Sequence, residues 1–514
     1  MLQTLKNAWK TQELKTKLLF TLLIVILYRL GSSIPVPWIN SEMVAQNFSS
    51  SVNMAVQMIA GDAFAQANLF ALSVSPYITS SIIIQLLTVA IPALERLAKE
   101  GEEGKKKINM ITRCVTMGLA LVTAFGYSTM LITGNSTDIV TLYYSQAGAF
   151  QGAFWHTTGV TTNAVGLGEI FQQAGTQFLV MIACYCAGAA LVMWLAEKIN
   201  EHGIGNGISV ILLANIVVRL PSTMIGLYNM VYGSIMNFTT TPEYDALYGI
   251  TTGDKVFQLI GACVWSLFII ALLIALVWVI VWFTDSERRI PVQYAKKVVG
   301  RKMYGGQSSN LPLKLNMAGV MPVIFANSIV SIPATLQSIW PRAGWINTLA
   351  NGYFNYTKPL YVLLSVILLF AFAYFYILIS FNPVEVANNI RNNGGAVPGI
   401  RPGKPTSDYI RKILNRITFI GAVFLCIVSE LPKVIVAIFS LFVDINSIHT
   451  GFAKWVVDFY NTGSYYNIYG QATHVFMTIA FSGTSVLIVV GVILETVREL
   501  EAQLTMRNYK GFLD

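Results

Sequence analysis

Ten stretches of the chain run for roughly 20 residues with few polar positions, the length an α-helix needs to cross the hydrocarbon layer of a membrane. They start near Leu18, Leu72, Ile111, Phe178, Ile208, Phe257, Ala318, Leu360, Ile413 and Val475. The pattern predicts an all-α integral membrane protein of ten transmembrane helices. The first run follows several lysines, as in a signal peptide, but no A-x-A-like cleavage site occurs in the GSSIPVP that comes after it, so it reads as the first span. Short basic connections alternate with longer, nearly uncharged ones. Residues 134–176 and 437–473 are polar, aromatic and glycine-rich, and read as capping loops without site chemistry.

Ten spans can divide into two halves of five, here residues 1–232 and 233–514, and the second span of each half is the odd one. Span two, LSVSPYITSSIIIQLL, holds Pro76 among Ser73, Ser75, Thr79, Ser80, Ser81 and Gln85. Span seven, LNMAGVMPVIFANSIVSIP, holds Pro322 and Pro333 with Asn316, Asn327, Ser328 and Ser331. Small polar residues serve helix packing in any membrane protein. Two such spans at matching positions point instead to a functional seam.

Composition agrees with the pattern, since 54% of residues are hydrophobic and 11% charged, against about a quarter charged in soluble domains. The five cysteines lie in or beside apolar runs and imply no disulfide framework. A net charge of +9 could suit nucleic acid, lipid headgroups or simple topology, and the positions decide. With the ten spans as drawn, one side holds every lysine and arginine except Arg29, Arg219, Lys255, Arg342, Lys358, Lys433 and Lys454. That asymmetry places both termini in the cytoplasm. Two loops, 285–314 and 382–416, carry more positive charge than orientation requires, together with turn chemistry such as VPGIRPG, and read as docking surfaces.

Catalytic chemistry is not legible. The four histidines are scattered, no metal-ligand spacing or paired carboxylate recurs, and GEEGKKK lacks the spacing and terminal hydroxyl of a phosphate-binding loop. Neither an enzyme nor a cofactor site is expected, and energy must come from a partner. Span centres carry no ionisable residue; Arg29, Arg113, Glu197, Glu430 and Glu495 fall near span ends, where snorkelling to the interface would satisfy them. Inverted repeats also occur in secondary transporters, but a transporter needs a polar site at mid-membrane. What lines the seam is apolar: Val74, Ile78, Ile208, Leu212, Ile324 and Ile488. Periodicity alone leaves each of them as ordinary packing.

Nine segments in order resemble the SecY family, the bacterial branch of the universal protein-conducting channel. They are YRLGSSIPVP (28–37), SPYITSSIIIQLLTV (75–89), KEGEEGKKK (99–107), GIGNGISVI (203–211), RRIPVQYAK (288–296), LPLKLNMAGVMPVIFA (311–326), VPGIRPG (397–403), SGTSVLIVVGVILE (482–495) and YKGFL (509–513). The resemblance implies two inverted, pseudo-symmetric halves of five helices closing like a clamshell. It implies that signal-bearing polypeptides cross, and nascent transmembrane segments leave sideways into, a bacterial cytoplasmic membrane.

By that resemblance Val74, Ile78, Ile208, Leu212, Ile324 and Ile488 match an apolar waist, while Thr79, Gln85 and Asn316 match polar positions of the lateral gate. An apolar constriction dewets and so blocks ions without gripping a passing side chain. Residues from about 53 to 68 match the plug. Arg288, Arg289, Arg301, Lys302 and Arg401 match loops that dock the SecA motor or the ribosome, whose RNA would favour the same charges. SecE and SecG are the implied small partners. Val74 and Leu212 stand where isoleucine is commoner in the family, and the connection around 437–473 is longer than usual.

Overall fold

A computed structural model of the chain describes residues 2–37, 62–133, 167–218, 252–294, 297–299, 302–304, 308–333, 344–348, 359–444 and 466–510, with isolated positions between them. The chain divides into two compact units. One comprises Met1–Ser222, Asn327–Tyr361 and Val492–Asp514, the other Thr223–Ala326 and Val362–Gly491.

The first unit opens with α1 (Leu2–Lys10) and α2 (Gln12–Ser32). On α2 the side chains of Ile24, Tyr28, Gly31 and Ser32 share one buried face, while Leu19, Leu22, Leu23, Ile26, Leu27 and Leu30 stand exposed on the other. Such an outward leucine face suits lipid rather than water. A single helical turn, Asp62–Ala65, precedes α3 (Ser75–Ala90) and α4 (Pro92–Lys99), which meet at a bend of 101°. Ile91 between them is extended (φ −107°, ψ 114°), as proline disfavours the helical conformation in the residue before it. Then follow α5 (Glu102–Thr133), α6 (Leu167–His202) and α7 (Gly207–Val217). Helix α6 packs on α2, α5 and α7, and α5 on α3.

Pro76 does not break its span. It lies in the first turn of α3, where its missing N–H has no intrahelical partner to lose. Pro322 has the same place in α9 (Met321–Val330), so both seam helices begin one residue before a proline.

The second unit contains all of α8 (Thr252–Asp285), α11 (Pro383–Asn392) and α12 (Lys404–Asp444), most of α10 (Pro359–Ser380), the start of α9 and the first part of α13 (Tyr466–Lys510). Its basic loop departs from the all-α expectation. β1 (Glu287–Tyr294) runs antiparallel to β4 (Ser308–Lys314), from Glu287 opposite Lys314 to Gln293 opposite Ser308. β5 (Gly395–Ala396) pairs with the other edge of β1, and β2 (Lys297–Val299) pairs with β3 (Lys302–Tyr304). Ile290 and Val292 point inward from β1 between exposed neighbours, the two-residue period of a half-buried strand. They pack with Leu313, Ala387, Ile390, Val397 and Ile410 into a small core of their own. Helix α11 starts where its sequence says: Asn382 accepts from the Val384 N–H at 3.1 Å and Pro383 takes the first helical position.

Among the described residues, Glu102–Thr129, Phe178–His202, Leu360–Asn392 and Lys404–Glu430 are long and apolar enough to cross a membrane, and the bent pair α3–α4 makes a fifth. Two expected loops are shorter than hydropathy implied, because α6 begins at Leu167, α12 continues to Asp444 and α13 begins at Tyr466. Hydropathy marks where lipid ends, while backbone hydrogen bonding lets a helix run on. The remainders, 134–166 and 445–465, lie outside the described residues, as does the plug stretch before Asp62.

Candidate functional site

Three buried polar side chains tie α2, the start of α3 and α7 together. Tyr28 on α2 donates to Asn215 Oδ1 on α7 at 2.8 Å, and its hydroxyl lies 3.2 Å from Ser73 Oγ. Asn215 Nδ2 closes the triangle by donating to Ser73 Oγ at 3.0 Å. All three side chains are buried, where each satisfied hydrogen bond contributes about 1 kcal/mol and an unsatisfied polar group costs about 1–3 kcal/mol. Ser73 adopts a left-handed backbone (φ 49°), a conformation that costs a residue with a side chain about 1–3 kcal/mol and needs such support.

This triangle sets two of the expected waist helices. Val74 follows Ser73 directly at the start of α3, Ile78 lies one turn on, and both are 1% exposed. Ile208, Leu212 and Asn215 share a face of α7 at spacings of four and three; Leu212 is buried and Ile208 half-buried. In the second unit, Ile324 on α9 and Ile488 on α13 are both buried. Of the gate positions, Thr79 donates to the Ser75 carbonyl at 3.0 Å and Gln85 to Ser81 Oγ at 3.3 Å, so each is answered within its own helix. Asn316 is buried in the segment leading to α9.

The end of the expected plug stretch is firmly held. Tyr127 on α5 donates to the Phe64 carbonyl, and Tyr185 on α6 to the Ala67 carbonyl at 3.1 Å. Asn68 donates to the Ser32 carbonyl at 2.9 Å, and Leu69 N–H to the Ile34 carbonyl at 2.9 Å. Phe64, Tyr127 and Tyr185 form a run of ring contacts at 4.7 and 5.1 Å. Gly188 lets this segment approach, since a Cβ there would lie 2.1 Å from the Leu69 carbonyl oxygen.

The docking candidates stand on the sheet and its neighbouring turn. Arg288 and Arg289 are exposed on β1, with Arg289 Nε 2.7 Å from Glu287 Oε1. An exposed pair of that kind is worth well under about 1 kcal/mol and exchanges partners readily. Arg401 is exposed, and its carbonyl accepts from Thr406 Oγ1 at 2.8 Å. Lys302 belongs to β3; Arg301 lies outside the described residues.

Several charged residues expected to snorkel have protein partners. Arg29 is half-buried and donates to the Ala214 carbonyl at 2.9 Å, and Arg113 pairs with Glu197 at 2.8 Å. Glu430 is 4% exposed and accepts from Ser429 Oγ at 3.1 Å, at the end of the apolar stretch Lys404–Glu430. Among the described residues no group of three His, Cys, Asp or Glu is placed to hold a metal.

Sequence reasoning missed the Tyr28–Ser73–Asn215 triangle and the two tyrosine contacts. An asparagine alone in the apolar run ILLANIV was the available signal, since an amide there demands buried partners.

The SecY family model matches residues 68–497. The protein translocase subunits SecY of Streptomyces scabiei and Streptomyces coelicolor are 36% and 37% identical, each alignment covering 100% of both chains. That of Mycobacterium bovis is 36% identical, again over 100% of both. A solved SecY structure, described by the stabilisation of the channel's closed state by its plug domain, aligns with a TM-score of 0.56 at 15% identity, covering 95% of this chain and 92% of that one. Canine Sec61 from a ribosome–channel complex aligns with a TM-score of 0.50 at 15% identity, with the same 95% and 92% coverage.

Proposed function

This chain belongs to the SecY family of protein-conducting translocation channels, and from that premise we propose how its residues perform translocation. The protein is a multi-pass membrane channel for polypeptides. Val74, Ile78, Ile208, Leu212, Ile324 and Ile488 form its waist, an apolar ring that dewets when empty and yields around an extended chain. The observation that carries this reading is the buried triangle of Tyr28, Ser73 and Asn215, which fixes Val74 and Leu212 from two helices at once. Valine and leucine at these positions change the tightness of the ring, not its character.

The full chain makes ten spans in two inverted halves, with both termini in the cytoplasm of a bacterium. Thr79, Gln85 and Asn316 line a lateral gate through which apolar segments reach lipid. A signal-sequence core of roughly 7–15 residues would partition there, each buried CH₂ contributing about 0.8 kcal/mol. Residues from about 53 to 68 form the plug, whose described end is bonded to α2, α5 and α6 through Asn68, Phe64 and Ala67. Arg288, Arg289, Arg301, Lys302 and Arg401 dock SecA or the ribosome, and SecE and SecG complete the complex. A secondary transporter would need a polar mid-membrane site, which this ring does not offer.

Vesicles holding the chain with SecE, SecA and ATP should protect a signal-bearing precursor from protease, and a precursor without its signal should stay digestible. Protection independent of the signal, or none in a folded complex, would contradict the reading.

A further inference from the structure

We infer that Glu499, on α13, is a positioning residue for the waist: its carboxylate holds the α6–α7 turn and thereby the start of the helix carrying Ile208 and Leu212. The inference rests on the proposed waist.

The turn after His202 has its backbone donors met by side chains from several helices. Ile204 N–H donates to Thr21 Oγ1 on α2 at 3.0 Å, Gly207 N–H to Asn200 Oδ1 on α6 at 2.7 Å, and Ile208 N–H to Asn206 Oδ1 at 3.1 Å. Gly205 N–H donates to Glu499 Oε2 at 2.8 Å, a bond to an ionised acceptor and so about twice as strong as a neutral one. Glu499 is itself aimed: its other oxygen accepts from Gln503 Nε2 at 3.3 Å, and Gln503 Oε1 accepts from Lys17 Nζ on α2 at 3.4 Å. Beside this chain of bonds, Ile204 and Leu500 pack with Ala8 and Leu14 in one buried cluster.

The backbone leaves little freedom for another solution. Gly205 has φ +85° and lies so close to α13 that a Cβ would stand 3.0 Å from Thr496 Oγ1, and a Cβ on Gly207 would meet the Ala196 carbonyl at 1.9 Å. The turn therefore touches α13 along Thr496 and Glu499, and α7 begins two residues after the N–H that Glu499 holds. Without the carboxylate, the entry of α7 loosens, and a waist closed less firmly admits poorer signal sequences.

The test compares Glu499→Ala and Glu499→Gln in the assembled channel, reading amide exchange at Gly205 and export of two precursors, one intact and one with a charge in its signal core. Glu499→Ala should speed exchange at Gly205 about tenfold and raise the ratio of weakened to intact precursor exported about fivefold. Glu499→Gln, which keeps a carbonyl acceptor but not the charge, should fall between the parent and Glu499→Ala on both readouts. Unchanged exchange in the alanine variant would overturn the bond's role. Faster exchange with an unchanged ratio, or an equal loss of both precursors, would overturn the link to the waist. Should the alanine variant not assemble, Glu499→Asp carries the same comparison, its shorter arm withdrawing the acceptor. Because exchange is read without translocation, a failed channel reading would show separately, as no export by the parent.

Discussion

Arg401→Glu should cut SecA-driven export of a signal-bearing precursor about thirtyfold, the effect of losing roughly 2 kcal/mol at a docking charge. The side chain is exposed, so reversing its charge removes no buried contact. The surrounding turn is held by groups the substitution leaves alone: Val397 is buried in the small core under the sheet, and Thr406 bonds the backbone carbonyl of residue 401. Thermal midpoint and assembly with SecE should therefore match the parent. The check is the export rate at saturating and limiting SecA; a docking defect is relieved by excess motor, and unimpaired export at limiting SecA would refute the assignment. Raising salt should weaken the parent's motor binding in the same direction, because exposed charges are screened over about 10 Å at 0.1 M.

Asn215→Leu should be the most damaging single change within the first unit. It removes the 2.8 Å acceptor of the Tyr28 hydroxyl and the amide donor at Ser73 Oγ, leaving the two buried hydroxyls only their 3.2 Å contact with each other. Two hydrogen bonds lost at about 1 kcal/mol each predict a loss of roughly 2 kcal/mol, enough to lower the thermal midpoint by several degrees. With Ser73 released from its left-handed conformation, Val74 loses its fixed position, and resting vesicles should leak small ions. Adding Tyr28→Phe removes the hydroxyl that has lost its 2.8 Å acceptor and should restore part of the stability, since replacing both partners by apolar groups costs less than removing one. Dye-release and halide-flux measurements on the two variants check this, and a single variant as tight and stable as the parent would remove the triangle from the account.

Much of this was legible in the sequence because a membrane simplifies the rules. Leu18 to Leu27 read as the first span, and α2 there has an outward face of exposed leucines. The caps of α11 could be read from Asn382 and Pro383. The matched prolines were visible, but their meaning was not: Pro76 and Pro322 open helices rather than break them, and only the backbone reveals which.

The sheet in the basic loop escaped notice because RRIPVQY is short and its charges dominate, although Ile290 and Val292 carry the strand period. The same loss of signal hid the supports of the site. Tyr28, Tyr127, Tyr185 and Asn215 lie scattered between positions 28 and 215, and a hydrogen bond between such distant residues leaves no local pattern. Hydropathy likewise gave no sign of the protein partners that meet Glu430 and Arg29.

The most direct measurement places one cysteine at Ile324 and another in the mature part of a precursor, then follows crosslinking during SecA-driven transit into vesicles. A crosslink that forms only while the precursor spans the membrane, and disappears when transit completes, is the predicted result. Efficient translocation with no crosslink from residue 324 would contradict the proposed waist, and a crosslink equally strong without ATP would show that the residue meets the precursor outside any conducting path.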